Sequence, residues 1–208
     1  MNLETAVGRA RVGHLAWLAL SAVLMLGSAL AWPAAPVNLA WQPELAWREP
    51  WRAWTAAFVH YSGLHLAANL AGAVLVGAWG WAARVPARCV VAWGVAWPLT
   101  QIGLLVQPAL RQYGGLSGVL HAGVVVVALH LMFEGNRTQA RIGAATLLIV
   151  IVKVLSESPW AGPLSHPAGW DIAVAPMAHA SGLAAGVLTA LAAQAWHRWR
   201  VHATKPDG

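Results

Sequence analysis

Charge is what this chain has least of. Only 10% of its 208 residues are Asp, Glu, Lys or Arg, against about 25% in an ordinary soluble domain. So few cannot cover a water-facing surface, which excludes a soluble globular domain. Carboxylates are scarcer still: Glu4, Glu44, Glu49, Glu134, Glu157, Asp171 and Asp207 are the seven, and all fall in loops, tails or span ends. The lone cysteine, Cys89, excludes an intrachain disulfide. The His-Glu-x-x-His pattern of zinc sites is missing. Internal repeats, low-complexity tracts and a separate soluble domain are missing too.

What is present is apolar. Hydrophobic residues make up 59% of the chain, and the mean hydropathy is +0.57. Six runs stand out, roughly 13–32, 62–82, 89–107, 115–133, 142–159 and 173–195. Each is near the ~20 residues a helix needs to cross a bilayer. Pro33, Pro36, Pro43 and Pro50 make the first connection a long irregular loop, and Pro86, Pro108, Pro159, Pro163 and Pro167 break later ones. Many of the 14 tryptophans gather near run ends: Trp41, Trp47, Trp51, Trp54, Trp79, Trp81, Trp160, Trp170, Trp196 and Trp199. Indole rings favour the membrane interface. The expectation is an all-α membrane protein, one six-transmembrane-helix bundle over residues 1–208.

The net charge of +6 invites nucleic acid, but the placement of the charges argues for topology instead. With the N-terminus in the cytoplasm, that side holds Arg9, Arg11, Arg84, Arg88, Arg137, Arg141, Arg198, Arg200 and Lys205. The outer side holds only Arg48, Arg52 and Arg111, with Lys153 left inside the fifth span. This is a positive-inside bias, and no nucleic-acid partner is expected. Arg9, Arg11, an apolar core and Ala29-Leu30-Ala31 also resemble a cleavable signal peptide. The run is long for one, and its removal would leave an odd number of spans, so the first helix is expected to be retained.

With that topology, spans two, four and six all begin on the outer side. His65 and Asn69 lie in the first turns of the second, and Ser117 opens the fourth. His179 is expected about two turns into the sixth, or ~10 Å deep at 1.5 Å per residue. Polar side chains are penalised in hydrocarbon, so four at similar depth point to a site. Ser117 follows two glycines, Gly114 and Gly115, which allow a tight turn into the helix. A helix N-terminus offers free amides and partial positive charge to an oxyanion. Gly118, Gly182 and Gly186 let the fourth and sixth helices approach closely. That approach would bring the His179 imidazole to the Ser117 hydroxyl as a general base. No carboxylate is expected near His179, so the group reads as a Ser–His dyad. Asn69 and His65 would act as oxyanion donors beside the Ser117 amide.

At these residues the chain resembles the rhomboid family of intramembrane serine proteases. Gly115-Leu116-Ser117-Gly118 is similar to the family's Gly-x-Ser-Gly nucleophile motif, and His65-Leu66-Ala67-Ala68-Asn69 to its His-x-x-x-Asn motif. Ala178-His179, followed by Gly182 and Gly186, is similar to its catalytic-histidine helix. Trp51-Arg52 resembles the Trp-Arg pair of its first loop, and His60 precedes His65 at the family spacing. The short core and the run from Tyr113 to His121 resemble the rhombosortase subgroup, where His121 stands in place of a frequent tyrosine. The resemblance implies a single-span membrane substrate ending in a GlyGly-CTERM tail: Gly-Gly, an apolar helix, a basic end. It also implies a bacterial inner membrane, cytoplasmic termini and a site open to the periplasm.

Blander readings stand beside these. A rhomboid-like protein that binds membrane helices without catalysis is the alternative function. Nine histidines invite haem or metal, yet no pair at matching depth carries a suitable carboxylate or supporting partner, so no cofactor or metal is expected. His14 and His130 read as packing residues. His121, one turn below Ser117, is expected to pack against His179 as an adjunct to the site rather than replace it as base. Lys153 and Glu157 are four apart. They read first as a local ion pair with a snorkelling lysine, and second as a pair that positions a substrate tail.

Overall fold

The computed structural model describes residues 3–32 and 38–203. Pro33, Pro36, Lys205 and Asp207 lie outside the described residues, as do the side chains of Glu4, Arg9 and Arg11. The described chain forms seven α-helices: α1 (Leu3–Ala31), α2 (Arg52–Thr55), α3 (Gly63–Ala82), α4 (Ala87–Ile102), α5 (Ser117–Glu134), α6 (Arg137–Ser156) and α7 (Pro176–Ala203). All but the one-turn α2 belong to stretches long and apolar enough to cross a membrane. Helices are the natural solution there, since each satisfies its own backbone groups away from water. Among the described residues the only β pairing is two isolated bridges, Trp41 with Tyr113 and Ser165 with Val174. The expected all-α, six-span membrane bundle is the fold observed.

The span ends differ from expectation where capping chemistry decides them. Helix α6 starts at Arg137, five residues before the expected 142. The Asn136 side chain accepts from the Gln139 amide at 3.0 Å, and the Gln139 side chain accepts from the Asn136 amide at 2.9 Å. This reciprocal cap satisfies two orphan donors and outweighs the polarity of the first turn. Helix α7 starts at Pro176, three residues later than expected, with proline at a position that needs no amide. His179 is therefore one turn into its helix, not two.

Helix α5 is the most buried span and forms the axis of the bundle. Small residues let α7 lie against it. A Cβ on Gly182 would fall on the Gly118 carbonyl, and one on Gly186 would meet Ala122. On the other side, the Trp93 Nε1–H of α4 donates to the Val119 carbonyl at 2.8 Å, and Trp17 of α1 donates to Val76 at 3.0 Å. These two indoles lie 4.3 Å apart in the core. Trp41, expected at the interface, is instead buried with Tyr113 under the first loop. Arg52 braces that loop: it pairs with Glu49 and donates from Nη1 to the Ala40 carbonyl at 2.9 Å.

Candidate active site

The turn before α5 sets the site. The Gly115 amide donates to the Ala56 carbonyl at 2.9 Å, and the Tyr113 hydroxyl donates to the Gly115 carbonyl at 3.2 Å. Gly115 has φ +148°, a conformation that L side chains rarely adopt, and a Cβ there would press on the His65 ring. The chain thus enters α5 with Ser117 as its first helical residue.

Ser117 Oγ and His179 Nε2 lie 2.9 Å apart, joining α5 to α7. Gly118 and Gly182 set this distance, because the two backbones touch one turn further along. His179 is buried and its ring lies parallel to that of His121, centroids 4.4 Å apart at 21°. His121 therefore packs against His179, as its register predicted. Its Nδ1 is also 2.7 Å from the Ser117 carbonyl.

One expectation is overturned. A carboxylate does reach His179: Glu157 Oε2 lies 2.6 Å from its Nδ1. Lys153 Nζ lies 2.9 Å from Glu157 Oε1, from His179 Nδ1 and from His121 Nε2. The shifted helix ends explain this. Helix α6 stops at Ser156 and α7 starts at Pro176, so Glu157 just past one end stands level with His179 just inside the other. The i,i+4 spacing of Lys153 and Glu157 was the available signal; it identified their mutual ion pair but not the histidines they also touch.

His65 and Asn69 face the same space. Ser62 caps α3 by accepting from the His65 amide at 3.0 Å. The Tyr61 amide points at His65 Nδ1 at 3.4 Å, which leaves Nε2 as the ring's proton-bearing nitrogen. Asn69 spends one amide N–H on the His65 carbonyl, 3.0 Å away, and retains a second. Trp170 stands edge-on to His65, and Ser62 donates to Asp171 at 2.7 Å, which ties the 157–175 connection to the start of α3. Just outside the spans, burial and then the neighbouring Tyr113 raise the Tyr61 hydroxyl to about 12, so it remains a phenol.

These groups line one cavity of about 550 Å³, which holds Tyr61, His65, Asn69, Ser117, His121, Lys153, Glu157 and His179. Every polar residue expected at the site is brought to it. Gly115, Gly118 and Gly182 contribute by allowing close approach.

A bundle of six long apolar helices around an internal cavity, with a serine and an imidazole at bonding distance, is that of a polytopic membrane protein. The Rhomboid domain model matches residues 47–196, and the chain belongs to the rhomboid family, whose members are intramembrane serine proteases. No curated protein matches the chain.

Proposed function

We propose that this chain is an intramembrane serine endopeptidase in which Ser117 is the nucleophile and His179 the general base. The observation that carries the reading is the 2.9 Å approach of Ser117 Oγ to His179 Nε2 across 62 residues of sequence. Ser117 Oγ attacks the scissile carbonyl carbon while its proton passes to His179 Nε2. The oxyanion forms beside the start of α5, where the helix amides are free, with His65 and Asn69 as side-chain donors. Collapse of the intermediate breaks the C–N bond, and His179 returns the proton to the departing nitrogen. Water then hydrolyses the acyl-enzyme by the same proton route.

The substrate class is a single-span membrane protein with a C-terminal Gly-Gly, apolar helix and basic tail, the rhombosortase specificity. The Tyr113–His121 run supports this subgroup. Glycines near the scissile bond ease the local unwinding that exposes a helical carbonyl. Residues 1–208 act as a single rhomboid-like domain in a bacterial inner membrane, with both termini cytoplasmic and the cavity open to the periplasm. The arginine distribution supports that orientation. The test is co-expression of such a substrate with wild type, Ser117→Ala and His179→Ala. Processing by the wild type alone is expected. Normal processing by either variant would falsify the assignment.

A further inference from the structure

Three ionisable side chains at the site have no part in the scheme above: His121, Lys153 and Glu157. Their contacts close a ring with the two that do. From Ser117 Oγ it runs to His179 Nε2 at 2.9 Å, and from His179 Nδ1 to Glu157 Oε2 at 2.6 Å. Lys153 Nζ then links Glu157 Oε1 to His121 Nε2, both at 2.9 Å, and His121 Nδ1 reaches the Ser117 carbonyl at 2.7 Å.

With Lys153 an ammonium, Glu157 a carboxylate and His179 neutral, proton bookkeeping leaves this ring a single arrangement. An ammonium has no acceptor lone pair, so His121 Nε2 must be bare and its proton sits on Nδ1, donated to the Ser117 carbonyl. A carboxylate has no proton to give, so a 2.6 Å separation from a bare nitrogen would set lone pair against lone pair. His179 Nδ1 therefore carries the hydrogen and donates it to Glu157. His179 Nε2 is left bare toward Ser117, the state a general base needs. Lys153 cannot then donate to Nδ1, and its 2.9 Å approach there is a contact rather than a bond.

We propose that Glu157 is the positioning carboxylate of this site. It holds His179 in the Nδ1–H tautomer, while Lys153 anchors Glu157 and fixes His121 as the plate against which the imidazole stacks. This rests on the reading of Ser117 and His179 given above and deepens it from a dyad to a supported triad.

Two further features hold Glu157 in place. Ser158 has φ +49°, a left-handed residue that ends α6 immediately after Glu157, and the next carbonyl, Pro159, accepts from Gln107 Nε2 at 3.1 Å. Burial alone would raise the Glu157 carboxyl, which lies just past the end of α6. The hydrogen bond from His179 and the bond and charge of Lys153 outweigh burial and hold it below its usual range, so it is ionised at physiological pH. Lys153 balances that charge, so the pair orients the imidazole without placing a lone anion in the membrane. When His179 takes up the Ser117 proton, the carboxylate is already in place to stabilise the cation. Removing such a carboxylate while keeping its shape leaves the imidazole free to adopt the wrong tautomer.

The experiment uses the full-length protein in detergent and a fluorophosphonate probe, which phosphonylates the serine oxygen with loss of fluoride. Ser117→Ala should take up no label. Glu157→Gln should react about 10² to 10⁴ times more slowly than wild type, with apparent probe affinity unchanged. Glu157→Asp should recover part of the rate, and Lys153→Met should fall by about 10-fold, since it acts one bond further away. A Glu157→Gln rate within about twofold of wild type, with Ser117→Ala still silent, overturns the role of Glu157 and leaves the nucleophile standing. Label on Ser117→Ala at the wild-type rate would overturn the nucleophile itself, and the role of Glu157 with it. A second measurement needs no variant of Glu157: ¹⁵N spectra of histidine-labelled protein should show His179 protonated at Nδ1 and bare at Nε2. The opposite tautomer overturns the proposal.

Discussion

The two ends of α5 carry nearly the same inventory of ionisable groups and do different things with it. At its start stand Ser117 and His121, joined by His179, Lys153 and Glu157. At its finish stand His130 and Glu134, with Arg88 of α4 in an ion pair with Glu134. Each end thus has imidazole, carboxylate and a basic partner. At the far end the histidine is 3.8 Å from the carboxylate, too long for a hydrogen bond. Among the described residues, no hydroxyl lines the small adjoining void of about 10 Å³, which is bounded by residues such as Arg88, Cys89 and His130. At the near end the imidazole is bonded on both nitrogens and opens on about 550 Å³. Residue types alone do not make a site. Alignment of lone pairs, a nucleophile and room for a substrate do.

The comparison can be broken most severely by forcing the near end apart. Gly182→Val would drive a side chain into the Gly118 carbonyl, and backbone cannot yield as a flexible side chain can. Overpacking of this kind costs about 1–3 kcal/mol or more, and the Ser117–His179 distance should open with it. A lower melting temperature together with lost substrate cleavage is the expected result. Full stability with full cleavage would show that helix contact does not set the distance. Next in size is Asn69→Ala, which removes one of the proposed oxyanion donors and should lower kcat by about 10² to 10³ with KM little changed. An unchanged kcat would remove Asn69 from the chemistry. The smallest effect belongs to the far end. Glu134→Gln breaks a partly buried ion pair remote from the cavity, worth about 1 kcal/mol, and should leave cleavage within about twofold of wild type. A large loss of cleavage there would mean that the two ends are not separable.

Most of the near end was legible in the sequence because depth follows from counting spans. Once spans two, four and six are known to start on one side, His65, Asn69, Ser117 and His179 share a level without any structural information. Gly118 and Gly182 were legible for a similar reason, as small residues on facing helices. Glu157 was not. Its place depends on two helix ends, each displaced by a few residues from the hydropathy boundaries. Helix α6 stops at Ser156, short of the expected 159, and Pro176 starts α7 late. Hydropathy averages over a window and cannot resolve one turn, yet one turn decides whether a carboxylate meets an imidazole. Trp41 differs for another reason: nearness to a run end suggests the interface, but the first loop folds back on Tyr113 and buries the indole.

Because Glu157 is carried at the end of α6 and His179 at the start of α7, their 2.6 Å bond spans a seam between two separate helices. A shift of about 1 Å between them takes it past bonding distance. On the roles proposed above, the seam works as an interlock: the base is correctly armed only while the wall of the cavity is seated, and a loosened wall leaves the serine facing an undirected ring.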